Sequence, residues 1–141
     1  MTNATRSPLL SDDFLRGYAE CALWSSPAGE CGGADVGENL DDAHGVDDIA
    51  PETLAKMAED CAAFRRDNAA DLAAAEALGQ GEDDTRAGHD FWLTRNRHGA
   101  GFWDRNLGQV GDRLTKAAHV YGECYLYAAD VDGRGPRVYM G

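Results

Sequence analysis

The strongest constraint on the fold is an apolar stripe that repeats at helical spacing in the middle of the chain. The stripe comprises Leu54, Met57, Cys61, Phe64, Asn68, Leu72, Ala75 and Leu78. Pro51 suits the first turn of a helix, where its missing N–H has no partner to lose, and Gly79 suits the left-handed residue that follows a last turn. The pattern predicts one continuous helix over 51–78, roughly 40 Å long.

Three other segments show the same periodicity. Their apolar residues predict helices over about 11–24, 82–97 and 106–121, the last of them opened by a capping box of Asn106 and Gln109. An amphipathic helix has to bury its apolar face, so these helices are expected to cover one another.

Beyond residue 121 the spacing changes from helical to alternating. Residues 124–128 and 137–140 read as two strands, and Asp132-Gly133 between them suits a tight turn. A hairpin alone is only marginally stable, so it must lie on the helices or join a strand from elsewhere. The sequence therefore predicts an α+β fold that is mainly helical, with about four helices and a C-terminal β-hairpin.

The length and composition favour one domain. Residues 1–10 are expected to be a disordered leader, and residues 11–141 a single domain. A segment at about 28–48, rich in glycine and aspartate, is expected to be an acidic loop. Such a loop is long for a compact domain, which is typical of a mobile or partner-binding segment.

Negative charge is concentrated in the first two-thirds of the chain. The net charge is −12, with 20 acids against 6 bases in residues 1–90 and 5 acids against 7 bases in residues 91–141. A chain this acidic repels the phosphate backbone of a nucleic acid, which excludes nucleic-acid binding driven by its overall electrostatic field. The acid could instead imitate phosphates on an acidic face formed by Asp41, Asp42, Asp47, Asp48 and Glu52.

A second unusual feature is a repeated string around Gly99-Ala100-Gly101. Phe-Trp followed closely by Arg-Asn occurs at 91–96 and again at 102–106. Arginine beside aromatic rings can hold a phosphate or stack on a base. The string therefore predicts a site for a nucleotide, a single-stranded nucleic acid or a small anionic ligand, with candidate residues Arg95, Asn96, His98, Trp103, Asp104 and Arg105.

The same string also has a structural interpretation. Cations at the end of the third helix complement its dipole. Trp92 and Trp103 could plug the junction of three helices, each burying about 150–250 Å². In that case the arginines would pair inward with Asp90, Asp104 and Asp112, and both interpretations remain open.

Enzyme signatures are weak. The sequence contains no HExxH, GxSxG or Walker A string. His89-Asp90 resembles half of a metal-binding pair, but further ligands at definite spacings are missing, and nothing singles out His119 and Cys124 as a dyad. We expect no catalytic residue, no metal site and no cofactor, and an enzyme of unknown class is the third hypothesis for function.

Four strings carry a resemblance to a known family: DDIAPETL at 47–54, GHDFWLTRNRHGAGFWDRN at 88–106, GDRLTKAAHVYGE at 111–123 and DVDGRGPRVYM at 130–140. They resemble a family of small proteins encoded by tailed bacteriophages and related mobile elements. Arg97 and Asn106 depart from the pattern, which has glycine at both positions. The resemblance implies a phage origin and an intracellular setting, and it implies no activity.

These observations together favour a non-enzymatic phage accessory protein that binds and modulates a host or defence-system protein. It would act as an anti-CRISPR or anti-restriction inhibitor or as a nucleic-acid mimic through the acidic face. The alternative is a nucleotide or single-stranded nucleic-acid binding module that uses 89–106. No apolar run approaches the ~20 residues that span a bilayer, so we expect no membrane partner and a place in the host cytoplasm. An exposed hairpin edge would also suit a homodimer.

Overall fold

The computed structural model describes residues 7–26, 39–131, 133 and 135–141, and within them the chain forms five α-helices and one β-hairpin. The helices are α1 (Asp13–Ser25), α2 (Pro51–Asp67), α3 (Ala69–Ala77), α4 (Asp84–Arg95) and α5 (Gly108–His119). The strands β1 (Leu126–Ala129) and β2 (Arg137–Met140) pair antiparallel. The prediction of a mainly helical α+β fold is confirmed.

The closest packing in the molecule joins α1 to α4. Gly17 on α1 lies against the main chain of Thr85, and Gly88 on α4 lies against the main chain of Phe14. A Cβ atom at either glycine would collide with the carbonyl oxygen opposite. The two glycines therefore set the short separation of these helices.

An aromatic cluster forms the core between α1, α2 and α4. Phe64 stacks on Phe91 with ring centroids 4.1 Å apart, and Tyr18 meets Phe91 at 5.2 Å. Phe14 and Phe102 are also fully buried and lie next to Phe64. Burial of these aromatic rings makes a large apolar contribution to the stability of the fold.

The single helix predicted over 51–78 is wrong, because the chain breaks at Asn68. This residue has φ −127° and ψ 24°, and its side-chain amide donates to the Phe64 carbonyl oxygen at 2.9 Å. The side chain thus competes with the helical backbone pattern. After the break α3 packs on α5, and Ala75 is its one fully buried residue.

The other predicted helices exist with shifted ends. At α1 the capping side chain belongs to Asp12, so the helix begins at Asp13. The helix predicted over 82–97 runs from Asp84 to Arg95, with Asp83 as its cap. The helix predicted over 106–121 covers Gly108–His119.

The shifted end of α4 and the shifted start of α5 have the same cause, which is a left-handed backbone conformation at a residue other than glycine. Arg97 has φ 57° and Asn106 has φ 61°. Arg97 ends α4 with a Schellman pattern, in which the His98 N–H reaches the Leu93 carbonyl oxygen at 2.9 Å. Asn106 cannot cap α5 in this conformation, so the predicted capping box is wrong, and Leu107 precedes the helix with no side-chain cap.

The hairpin joins a third piece of chain. The first strand, predicted at 124–128, is Leu126–Ala129, and the second is where it was predicted. Val138 on β2 forms a parallel bridge with Ile49, and the Ala50 N–H donates to the Val138 carbonyl oxygen at 2.8 Å. Leu126 and Val138 turn their side chains into the core.

The predicted leader and acidic loop lie partly outside the described residues. Residues 1–6 and 28–38 are not described. Pro8–Ser11 form a 3₁₀ turn, and Leu10 within it is buried in the core. Leu40–Asp42 and Val46–Asp48 form two further turns.

Within the described residues, no helix has both the length and the hydropathy needed to cross a bilayer.

Candidate functional site

The two copies of the Phe-Trp string differ in burial. Phe91 and Trp92 are in the core, and the Trp92 indole N–H donates to the Ser25 hydroxyl oxygen at 2.8 Å. In the second copy Phe102 is buried, but Trp103 is 52% exposed. The prediction that both tryptophans plug a helix junction is therefore correct for Trp92 and wrong for Trp103.

Arg95, a predicted binding residue, is a buried structural residue. Its guanidinium donates to the Tyr18 hydroxyl and to Asp60 Oδ2, both at 3.0 Å, and to the carbonyl oxygens of Tyr121 and Gly122. Burial alone would lower the pKa of Arg95, but Tyr18, Cys124 and Asp60 together raise it above its usual value. The side chain is only 6% exposed and has no free edge for a ligand.

Asn96 and Asp104 also have structural roles. Asn96 accepts the Cys124 N–H at 2.7 Å and donates to the Trp92 carbonyl oxygen at 3.0 Å. Asp104 accepts the Gly101 N–H at 3.1 Å and so holds the turn after the glycines. These side chains shape the bend that connects α4 to α5.

Arg105 pairs inward with Asp90, as the structural interpretation predicted. Nε and Nη2 of Arg105 reach the Asp90 carboxylate at 2.9–3.3 Å, and Asp90 is fully buried. Asp104 is farther from this arginine, at 4.0 Å. Hydrogen bonding to Asp90 raises the pKa of Arg105 above its usual value.

Glu82 completes this buried cluster and was missed by the sequence reasoning. Its side chain is 2% exposed, and neither carboxyl oxygen has a hydrogen-bond partner within the described residues. Burial, together with the adjacent Asp90, raises the pKa of Glu82 to about 8. Below that pH the Glu82 carboxyl group is mostly neutral, so it does not place a second negative charge beside Asp90.

A surface groove of about 560 Å³ lies on the outer side of Arg105, between α1, α4 and the glycine bend. We call it the α1–α4 groove, and its lining residues are Trp24, Ser25, Asn39, His89, Leu93, His98, Gly99, Ala100 and Arg105. Its volume falls in the range of about 300–1,000 Å³ that is usual for small-molecule sites. Trp24 is 57% exposed and supplies its aromatic surface.

The groove combines part of the predicted site with residues that the sequence did not indicate. His98 and Arg105 line it, whereas Arg95 and Trp103 do not. His89 lies within the 89–106 string but was considered only as half of a metal-binding pair. Trp24 was missed because it lies on α1, far from that string in the sequence. His119 does not line the groove either. Within the described ranges, there is no group of three or more histidine, cysteine, aspartate or glutamate side chains that could hold a metal ion.

The predicted acidic face is divided between structural and exposed carboxylates. Asp42 accepts the Asn39 N–H at 2.9 Å, and Asp48 accepts the Gly45 N–H at 3.1 Å, so both hold 3₁₀ turns. Asp41 and Glu52 are exposed. Asp47 is also exposed and lines a separate hollow of about 270 Å³ beside Arg137.

No protein-family model, no curated protein and no solved structure matches this chain.

Proposed function

We propose that this protein binds a small planar anion, such as a nucleotide, in the α1–α4 groove. The observation that supports the proposal is the placement of His98 and Arg105, from the repeated string, beside the exposed indole of Trp24. A ring of the ligand would lie on Trp24 and Leu93, and its anionic group would meet Arg105 and the imidazoles.

Arg105 can serve such a ligand without leaving Asp90. Its bonds to Asp90 use Nε and Nη2, and Nη1 has no hydrogen bond within the described part of the chain. A guanidinium has five N–H donors, so one edge can hold Asp90 while another holds a phosphate or carboxylate oxygen. Because Asp90 offsets the positive charge, this recognition depends on local hydrogen bonds more than on long-range attraction.

The overall charge favours a nucleotide over a nucleic acid. A chain of net charge −12 repels a long phosphate backbone, while a monophosphate brings only one or two negative charges into the groove. The ligand class is therefore a nucleoside monophosphate or a comparable aromatic acid.

The test is a binding titration with adenosine monophosphate, read by thermal shift and tryptophan fluorescence. Adenosine, inorganic phosphate and a short oligothymidine serve as comparison ligands. Trp24→Ala should weaken binding at least about fivefold, because ring stacking contributes about 1–3 kcal/mol. His98→Ala should weaken it less. Trp103→Ala is the matched control, since Trp103 is equally exposed but lies outside the groove.

Two results would reject the proposal. One is that adenosine monophosphate does not shift the melting temperature of the wild type. The other is that Trp24→Ala and Trp103→Ala weaken binding equally, because the site would then not be the groove.

A second candidate function is the modulation of a host or defence-system protein through the acidic face. It is favoured by the exposed side chains of Asp41 and Glu52, which have no basic partner within the described residues, and by the resemblance to phage-encoded proteins. Capture from host lysate by the wild type should be lost in the double variant Asp41→Asn and Glu52→Gln. Asp42 and Asp48 stay unchanged in this test because they hold turns. Equal capture by the double variant would exclude the acidic face.

A further inference from the structure

Strand β1 forms one edge of the sheet. Its neighbour β2 is paired on both sides, with β1 on one side and with Ile49 on the other. Within the described residues, no main-chain hydrogen bond is made by the outer edge of β1. This edge is independent of the α1–α4 groove, which β1 does not line.

The pairing pattern shows which groups face outward. Tyr125 and Gly141 exchange both main-chain hydrogen bonds, with N···O distances of 2.8 and 3.4 Å. In an antiparallel ladder every second residue is bonded in this way, so Tyr127 and Ala129 also point their N–H and C=O groups at β2. The N–H and C=O groups of Leu126 and Ala128 therefore point away from the sheet.

Apart from its short length of four residues, the edge lacks the sequence features that usually prevent strand pairing. Residues 124–129 contain no charged residue and no proline. On the outer face Tyr125 is 63% exposed and Tyr127 is 39% exposed. Tyr127 stacks on Tyr139 of β2 with centroids 5.8 Å apart, so the hairpin presents an aromatic row that ends at the free edge.

We propose that β1 pairs antiparallel with β1 of a second copy of this chain, about a two-fold axis at Tyr127. Leu126 of one copy would then face Ala128 of the other, which gives about four new main-chain hydrogen bonds. The two Tyr127 side chains would meet at a closely spaced, non-hydrogen-bonded position, where aromatic pairs interact best. The tyrosine row would continue across the dimer, with Tyr127 and Tyr139 from each copy.

Charge favours this segment as the place where two copies meet. Two chains of net charge −12 repel each other, but residues 124–141 carry two acids and two bases. The hairpin is therefore neutral within an acidic protein. The paired strands are short, so the dimer is weak, with a dissociation constant of roughly 0.1–1 mM.

The test is sedimentation equilibrium of the full chain from about 10 µM to 1 mM at an ionic strength of about 0.3 M, which screens the repulsion. The wild type should approach the dimer mass as concentration rises. Tyr127→Lys should remain monomeric, because it places two cations opposite each other. Ala128→Pro should also remain monomeric, because it removes an outward N–H and leaves the pairing with β2 intact.

Val120→Lys is the matched control, since it adds the same charge at an apolar residue that is 84% exposed and lies outside the strands. It should dimerise like the wild type. Hydrogen exchange of the Leu126 and Ala128 amides should slow as the concentration of the wild type rises. Exchange of the neighbouring Tyr127 and Ala129 amides should not change in this way. A wild type that is monomeric at 1 mM, dimerisation that survives Tyr127→Lys, or growth beyond the dimer would each overturn the proposal.

Discussion

At the scale of single residues, the side chain of Glu82 has surroundings that suit its neutral form. The carboxyl group is buried beside Asp90, and its pKa is raised from 4.5 to about 8. In the unfolded chain the same group ionises near its ordinary pKa. Between these two values the native state therefore holds a proton that the unfolded state has released, and the free energy of unfolding falls as pH rises.

We expect this decrease to disappear in Glu82→Gln. The amide stays neutral at every pH, so the variant should be more stable than the wild type at pH 8.5, by about 1–3 kcal/mol, and similar to it at pH 4.5. Urea unfolding at several pH values measures the difference. Glu76→Gln, at an exposed glutamate of α3, should keep the wild-type pH dependence. A Glu82→Gln profile parallel to that of the wild type would contradict the prediction.

The left-handed residues Arg97 and Asn106 give a second prediction at this scale. Both side chains are exposed and make no hydrogen bond within the described residues, so replacing them removes no hydrogen bond seen there. Glycine adopts positive φ without the steric cost that a Cβ atom brings, which is about 1–2 kcal/mol and less for asparagine. Arg97→Gly should raise stability by about 0.5–1 kcal/mol, and Asn106→Gly by less. Arg97→Ala keeps the Cβ atom and should give no gain in thermal unfolding.

At the scale of elements, sequence periodicity located four helical segments, but it did not show that one of them is divided into α2 and α3, nor where most of the helices end. The start at Pro51 depends on local chemistry and was predicted. The break at Asn68 was not predicted, because the segment after it packs on the distant helix α5, with an Arg113–Asp71 pair at 2.9 Å. A periodic pattern carries no information about such a distant partner.

The same distinction applies to the candidate site. Arg105 and Asp90 are close in sequence, and their pairing was among the predicted alternatives. Arg95 binds Asp60, which lies 35 positions away on another helix, so its burial could not be anticipated. The α1–α4 groove likewise needs Trp24 beside His98, and only the packing of α1 on α4 brings them together.

The packing of α1 on α4 leads to a prediction for Gly88→Ala. Alanine favours a helix over glycine by about 1 kcal/mol, so an open site would gain stability. At Gly88 the new Cβ atom would meet the main chain of Phe14 and push the two helices apart. We expect the free energy of unfolding to fall by about 2–4 kcal/mol, as in other overpacked cores, and ligand binding in the α1–α4 groove to weaken. Chemical unfolding measures the loss. Gly99→Ala has open space around its Cβ atom and should change stability by less than about 0.5 kcal/mol.

At the scale of the whole molecule, Arg95 connects elements that lie far apart in the sequence. From α4 it reaches Tyr18 on α1, Asp60 on α2 and the carbonyl oxygens of Tyr121 and Gly122, which precede the hairpin. All these contacts lie at the centre of the aromatic cluster, where the guanidinium also faces the rings of Phe91 and Tyr121. Its loss would leave a buried carboxylate and two carbonyl groups with fewer partners.

We therefore expect Arg95→Met to cost about 3–5 kcal/mol, which is a large part of the roughly 5–15 kcal/mol that stabilises a domain. Arg113→Met is the matched control: Arg113 also pairs with one aspartate, but its side chain is 55% exposed, so its replacement should barely change the free energy of unfolding. Urea unfolding of both variants measures the contrast. If Arg95→Met proves too unstable to purify, Asp60→Asn, which keeps a hydrogen-bond acceptor for the guanidinium, should fold with an intermediate loss. Equal costs for Arg95→Met and Arg113→Met would mean that the buried network does not hold the helices together.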